Sequence, residues 1–336
     1  MRCALDEAAK GVGHTSPNPA VGAVLVVDGK IVARGHHRAA GGPHAEIECL
    51  RKFNRRLPKK ATLYVTLEPC SSHGRTPPCT EALGKSGIGT VVIGTVDPNP
   101  EHAGRAIELL RAARVTIRSG ILAEECRALN EAFNKWITTK RPFVIAKCGM
   151  SLDGRLTRLP NEKHWITRPA ARRHANRGRA HVDAVLIGAK TLRADNPRLT
   201  VREVRVARQP WRVVVSRSGK LPRTAHLFTD RFAARTLVFT DQPLGTVLND
   251  LGKREITSVL IEGGGDVLGQ ALEARLIDRV QIYLGAALTG GPAIAFPGRG
   301  APTSEAGMRL QKVRYEKIGN DIFVTGEATY GEGSPE

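Results

Sequence analysis

The chain has 336 residues, more than one core usually serves, and typical domains of ~150 residues predict two. With 41% hydrophobic and 25% charged residues it reads as globular, and no apolar run approaches the ~20 residues that span a bilayer. Lys and Arg number 51 against 32 Asp and Glu, a net +19 that favours an anionic partner.

Met1–Lys10, with Asp6 and Glu7 and no long apolar stretch, does not read as a secretory signal, so a cytoplasmic address is expected. Most of the basic excess falls in residues 141–236, which hold 22 Lys and Arg and 6 Asp and Glu. Nucleic acid, a phosphorylated small molecule and a merely solvated surface all fit that composition. Six cysteines spread over the whole chain are not a disulfide framework. In a reducing compartment some are metal ligands and the others small core residues.

The first half alternates short apolar runs with helical patterns, the signal of an α/β layer structure. Val21–Val27 and Lys30–Gly35 read as strands around Asp28-Gly29, a dipeptide suited to a tight hairpin. Ala45–Phe53 has helical spacing, Ala61–Thr66 reads as a strand, and a Pro/Gly-rich loop leads to a helix near Cys79–Ser86. Then come a strand at Thr90–Gly94, a helix at Gly104–Ala112, a strand at Val115–Arg118 and one long helix from Leu122 to about Thr138. Pro142 marks a domain boundary, giving domains at 1–140 and 141–330. The pattern restarts with strands at Phe143–Cys148, Ala184–Gly188, Arg212–Val215, Thr236–Phe239, Ser258–Ile261 and Val280–Leu284, and a helix at Ala170–Gly178. There is no internal repeat, and the tail from Gly331 to Glu336 is expected to be disordered.

His44-Ala45-Glu46, followed by Glu68-Pro69-Cys70 and then Cys79, is the constellation that carries chemistry. A catalytic zinc takes three protein ligands and leaves a fourth position to water, and one imidazole with two thiolates supplies those three. Such a water is acidified toward neutral pH and becomes the nucleophile. A carboxylate two residues from the histidine, Glu46, can take its proton and deliver it to a ring nitrogen and departing ammonia. If His44 opens one helix and the cysteines flank another, helix N-termini help keep both sulfurs as thiolates.

These residues resemble the cytidine and deoxycytidylate deaminase superfamily, whose pattern is His-x-Glu followed by Pro-Cys-x-x-Cys. Here eight residues, Ser71 to Pro78, separate the cysteines. That spacer, Thr15-Ser16-Pro17-Asn18-Pro19 upstream and Asp97-Pro98-Asn99-Pro100 downstream resemble one branch, the bifunctional riboflavin-biosynthesis deaminase–reductases. The likeness runs from about residue 1 to 330. It implies an N-terminal cytidine-deaminase-like three-layer α/β/α domain that removes the 2-amino group of a diaminopyrimidinone ribosylamine 5′-phosphate. Asn18 would read the ring, and His73 and Arg75 of the spacer would donate to a phosphate or sugar.

From Lys147 onward the chain resembles the reductase half of that family, similar in fold to dihydrofolate reductase. The matching segments are Lys147–Gly154, Trp165-Ile166-Thr167, Gly188–Thr191, Asp195-Asn196-Pro197, Leu199–Arg202 and Glu262–Asp266. The last is a glycine turn between an apolar strand and a helix, suited to a dinucleotide pyrophosphate though not the G-x-G-x-x-G fingerprint. The resemblance implies that NADPH donates hydride to C1′ of an open-chain ribosyl imine, giving a ribitylamino product. Met150, Trp165, Thr191, Asp195, Gly264, Gly265, Asp266, Val267, Leu268, Gly269 and Gln270 would face the cofactor. Lys163, Arg179, Leu199, Arg202 and Glu262 would face the substrate, the two arginines as phosphate clamps.

Three residues depart from the family pattern: Asn161-Glu162-Lys163 stands where Gly-x-Ser is usual, Asn196 in place of a second aspartate, and Arg217 in place of a serine near the cofactor. They raise a second expectation, a deaminase with a redox-inactive C-terminal half. A third, an RNA-binding deaminase, finds support in the basic charge. It is opposed by only 4% aromatic residues and by the long Cys70–Cys79 spacer. The expected partners are Zn2+, NADPH and a phosphorylated pyrimidine nucleotide, with no nucleic acid and no membrane. The resemblance adds a homo-oligomer, a dimer or higher, joined through the reductase half.

Overall fold

The computed structural model describes residues 1–53, 56–72, 77–157 and 165–331, and within it the chain forms two compact units, Met1–Lys140 and Arg141–Glu336. His73 and Arg75, Lys163 with its neighbours, and tail residues 332–336 lie outside the described residues.

The first unit runs α1 (Arg2–Ala9), β1 (Gly22–Val27), β2 (Lys30–His36), α2 (Ala45–Phe53), β3 (Thr62–Leu67), α3 (Cys79–Lys85), β4 (Thr90–Thr95), α4 (Arg105–Ala112), β5 (Thr116–Ser119), α5 (Ala123–Leu129) and α6 (Glu131–Thr139). Its sheet has the order β2-β1-β3-β4-β5, antiparallel from β2 to β3 and parallel from there. Asp28 and Gly29 both have positive φ (51° and 73°), the two-residue turn whose twist matches a hairpin.

One face of the sheet packs Leu25, Leu63, Val65 and Ile93 against Leu83 of α3 and Leu110 of α4. Two glycines bring helices to backbone contact. A Cβ at Gly35 would strike the Ala45 carbonyl and Cys49 nitrogen of α2, and one at Gly22 would strike the Ala4 carbonyl and Ala8 nitrogen of α1. α1 touches α5, while α2 touches α3 and α3 touches α4, so the helices form two layers about the sheet.

The long helix expected from Leu122 is two helices, α5 and α6, broken at Asn130 (φ −116°, ψ 25°). Asn130 is buried, and its amide accepts from the Ala20 N–H at 2.7 Å and donates to the Ala20 carbonyl at 2.9 Å. Satisfying that loop backbone outweighs helical continuity. α1 was not anticipated because its inward face is built from Ala4 and Ala8 with Glu7, too small and polar to register as an apolar stripe.

The second unit contains β6 (Phe143–Ser151), α7 (Pro169–Gly178), β7 (Ala184–Gly188), α8 (Ala189–Asp195), β8 (Trp211–Ser216), α9 (His226–Thr229), β9 (Thr236–Thr240), α10 (Leu244–Lys253), β10 (Ser258–Ile261), α11 (Gly265–Glu273), β11 (Arg279–Gly285), β12 (Met308–Ile318) and β13 (Asp321–Tyr330). Its eight strands have the order β12-β13-β11-β6-β10-β7-β8-β9, parallel from β11 to β9 and antiparallel at β13. β10 inserts between β6 and β7, so the chain reverses direction across the sheet there, and ligands of open α/β sheets bind at the carboxyl ends beside such a reversal. The closing β12–β13 hairpin and α8 and α10 were not anticipated. β12 is an edge strand exposed on most of its length, and its apolar alternation (Met308, Leu310, then Val313, Tyr315) is broken by a register shift between Gln311 and Arg314.

Candidate active sites

His44 is the residue before α2, its carbonyl accepting from the Glu48 N–H at 3.0 Å, and Glu46 is in the first turn. Cys79 opens α3 and its N–H donates to Cys70 Sγ at 3.2 Å, while the Thr80 N–H bonds the Cys70 carbonyl. Two helix starts thus converge. His44 Nδ1 lies 3.4 Å from Cys70 Sγ and 3.3 Å from Cys79 Sγ, and all three atoms fall within 4.8 Å of one another.

The donor set of one imidazole and two thiols fits zinc in a catalytic geometry, with a fourth position left to a small molecule. Burial pushes the Glu46 carboxyl up to about 7, with the neighbouring Cys70 thiolate adding to the effect. Cys70 is held low, at about 4, first by its contact with the Cys79 thiol, and the same contact holds Cys79 high.

Asn18 belongs to this centre through a residue the sequence did not mark. Its Nδ2 lies 3.1 Å from His37 Nε2, and His37 Nδ1 lies 3.0 Å from the Pro43 carbonyl. A carbonyl only accepts, so Nδ1 carries the proton, Nε2 accepts from the Asn18 amide, and Asn18 Oδ1 turns the other way. The His37 ring stands edge-on to His44, centroids 5.3 Å apart, and burial keeps His37 neutral by lowering its pKa. No spacing rule singles out His37, which follows another histidine in a loop.

Glu68, seen in the sequence only as part of a motif, anchors the next loop. Its carboxylate accepts the N–H groups of Asp97 (3.1 Å), Gly104 (2.9 Å) and Ala106 (2.9 Å). The segment Asp97-Pro98-Asn99-Pro100 is thereby tied to the strand end that leads into Cys70.

In the second unit Arg179 and Glu262 form a bidentate pair, Nε to Oε1 at 2.6 Å and Nη2 to Oε2 at 2.9 Å, with Arg179 Nη1 on the Thr200 carbonyl at 3.0 Å. The guanidinium expected as a phosphate clamp therefore uses much of its donor set inside the protein. Burial opposes the Glu262 charge, but Arg179 and Lys147 hold its pKa down at about 2. Lys147 Nζ lies 3.7 Å from Glu262 and makes the cluster net cationic. Lys147 was legible as a lone cation in the apolar run Phe143–Cys148, yet only as part of a matching segment.

The glycine turn lies where expected, between β10 and α11. Gly264 has φ +59°, and a Cβ there would come within 2.9 Å of Thr191 Oγ1, so Thr191 and the turn adjoin. Val267 and Leu268 are core residues and Gly269 packs on Pro297, so backbone rather than side chains is what they offer. The Val267 and Leu268 N–H groups turn back to the Gly264 carbonyl, and those of Gly265 and Asp266 are what the turn presents to an anion. Asp266 pairs with Lys190 at 2.7 Å across the turn. This cradle fits the pyrophosphate of a dinucleotide.

Met150 is half-buried near the end of β6, Asp195 and Gln270 are exposed, and Trp165 is 74% exposed with Arg172 5.1 Å over its ring. Leu199 has φ 53° with its side chain in the core, so only its backbone faces outward. Arg202 lines a groove of about 450 Å3 together with Arg198 and Arg231. Asn196 caps α8 in a left-handed conformation (φ 42°) and accepts from the His226 N–H at 2.9 Å, a structural reason for asparagine there. Arg217 is exposed just past β8.

The cytidine and deoxycytidylate deaminase zinc-binding region matches residues 1–95, and the RibD C-terminal domain matches residues 142–324. The riboflavin biosynthesis protein RibD of Aquifex aeolicus is 36% identical over 345 residues, covering 96% of each chain. That of Escherichia coli is 35% identical, covering 96% of each. Among solved structures, Acinetobacter baumannii RibD superimposes with a TM-score of 0.88 at 35% identity, covering 98% of both chains. A diaminohydroxyphosphoribosylaminopyrimidine deaminase/5-amino-6-(5-phosphoribosylamino)uracil reductase from Thermotoga maritima does so at 0.86 and 36%, covering 98% of this chain and 97% of that one. With relatives of this identity aligned over nearly its whole length, the chain belongs to the RibD family of riboflavin biosynthesis proteins.

Proposed function

We propose that this protein catalyses two consecutive steps of riboflavin biosynthesis. The first is deamination of 2,5-diamino-6-ribosylamino-4(3H)-pyrimidinone 5′-phosphate, and the second is NADPH-dependent reduction of the ribosyl group to ribityl. The observation that carries it is the convergence of His44, Cys70 and Cys79 beside buried Glu46, on one chain with a strand–glycine turn–helix cradle.

Zinc, when bound, acidifies the attacking water. Glu46 takes one proton from that water and passes it to the ring nitrogen, then takes the remaining hydroxyl proton and passes it to the amine, which leaves as ammonia. A carboxyl near neutrality can both accept and donate at physiological pH. Asn18 Oδ1, fixed by the His37 bond to Nδ2, accepts from a ring N–H or amine. His73 and Arg75 would serve the phosphate or sugar.

NADPH, when bound, supplies the hydride. Gly264, Gly265, Asp266 and Thr191 hold its pyrophosphate side, with Met150, Trp165, Asp195 and Gln270 at the margins. Lys147, oriented by the Arg179–Glu262 pair, and Arg202 meet the anionic substrate, with Lys163 as a further cation.

A cytoplasmic setting suits the thiol ligands and the unpaired cysteines. The long exposed edge of β12, with Tyr315 74% exposed, supports a homo-oligomer joined through the reductase unit. Several arginines of the basic segment are held by carboxylates inside the unit (Arg179 by Glu262, Arg208 by Asp183, Arg212 by Asp230) rather than spread over an open surface, which favours a small phosphorylated ligand over a nucleic-acid surface.

The test is incubation of zinc-loaded protein with the diaminopyrimidinone nucleotide, with and without NADPH. Ammonia is expected in both cases, and NADPH consumption only after deamination. No ammonia would overturn the first step, and ammonia without NADPH oxidation would overturn the second.

A further inference from the structure

We propose that Tyr283, locked by His174, is a positioning residue that holds the Lys147 ammonium out toward the reductase substrate. The inference rests on the reading of that centre given above.

β6 and β11 are parallel neighbours, with Gln281 opposite Lys147 and Tyr283 opposite Gly149. Lys147 and Tyr283 therefore project from the same face of the sheet, and the glycine leaves no side chain beside the ring. Lys147 Nζ lies 5.8 Å from the Tyr283 ring centroid and 3.7 Å from Glu262 Oε2. Both Glu262 oxygens already accept from Arg179. The lysine is thus suspended between a carboxylate that is already matched and the electron-rich face of a ring.

A four-carbon stem does not hold such a position by itself, because its rotamers are many and its charge is drawn to the nearest anion. The ring can, because it is buried and held from two sides. Tyr283 is 3% exposed, stacks on Phe323 at 4.8 Å, and its hydroxyl is 2.9 Å from His174 Nδ1. His174 in turn contacts Phe323 at 5.0 Å. Three elements, α7, β11 and β13, each contribute one ring to this block. α7 also carries Asn176, whose Oδ1 accepts from the Arg202 N–H at 3.1 Å, so one helix braces both cations assigned to the substrate. Without the ring, Lys147 would close on Glu262 and its charge would be withdrawn from the ligand.

The experiment compares full-length Tyr283→Leu, Tyr283→Phe, Lys147→Ala and the Tyr283→Leu/Lys147→Ala double variant. The readouts are reductase KM and kcat, NADPH affinity by cofactor fluorescence, deaminase rate and melting temperature. Tyr283→Leu should raise the reductase KM by roughly 5- to 30-fold, the range of a desolvated cation–ring contact. NADPH affinity and ammonia release should be unchanged. Tyr283→Phe keeps the ring face and should restore most of the loss. In the Lys147→Ala background the leucine substitution should add nothing. Equal effects in the two backgrounds, or a KM rise that tracks lost NADPH affinity and melting temperature, would overturn the proposal. Should Tyr283→Leu not fold, Tyr283→Met also removes the ring face, and an unchanged reductase KM in that variant overturns the proposal. Failure of the underlying reading looks different: Lys147→Ala itself would then leave KM untouched.

Discussion

In the N-terminal centre the polar groups converge as a metal-type donor set, one imidazole and two thiols within 4.8 Å of one another. In the C-terminal centre most of them point at one another. Among the described residues His44, Cys70 and Cys79 contact one another, and Glu46 is buried with its pKa driven up to about 7. Arg179 and Glu262 are mutually neutralised, and the carboxylate sits low, at about 2. In the proposed mechanism the first arrangement concentrates function in four side chains, whose loss would be chemical. The second distributes function over a braced frame whose loss is partly structural.

That contrast can be broken experimentally, and the largest effect is expected at the first centre. Glu46→Gln should lower the ammonia-release rate by about 10²–10⁴-fold, the usual share of a general acid–base group. NADPH oxidation with pre-deaminated substrate should be unaffected, and a parallel fall in both rates would show that the centres are not separable. At the second centre, Arg179→Ala leaves Glu262 charged and buried, which should cost the unit about 3–5 kcal/mol by denaturant unfolding. A variant that lost only activity would place the pair with the chemistry and erase the contrast.

Acid sharpens the same point. The Glu262 pKa is depressed from 4.5 to about 2, so its stabilisation is complete above pH 4.5 and is lost as pH falls toward 2. The reductase unit should therefore lose stability through that window by calorimetry, and Arg179→Ala should flatten the slope there. Asn130→Ala, which strands the buried Ala20 N–H and carbonyl, should cost the deaminase unit about 1–3 kcal/mol. Lys190→Ala removes only an exposed pair and should change stability by no more than about 1 kcal/mol, with a small loss of NADPH affinity.

The two centres also differed in how far the sequence revealed them. The residues proposed for zinc were legible because donor chemistry concentrates them in a short span, and the structure places the donor atoms of His44, Cys70 and Cys79 within 4.8 Å of one another. His37 was invisible because its role is to fix one end of Asn18, a relation made by two loops that folding brings together. The Arg179–Glu262 pair joins residues 83 apart, so each looked like a separate ligand contact. Strands with apolar cores were readable, whereas β12, whose alternation is interrupted by a register shift, and α1, faced with alanine, were not. The helix break at Asn130 followed from a loop 110 positions away. Periodicity records which face is buried, and it is silent about polar bonds closed over long distances.

Gly35 gives the deaminase centre a mechanical tolerance of almost nothing. The strand beneath α2 meets that helix at the Ala45 carbonyl and the Cys49 nitrogen, one residue on either side of the turn that carries Glu46 and just after His44. A single methyl group at position 35 would lift metal ligand and proton carrier together, away from cysteines held by another helix. Misplacement of reacting groups by ~1 Å can cost ~10²-fold in rate. A residue with no side chain, touching neither metal nor substrate, thus acts as the gauge block against which the reaction distance is set.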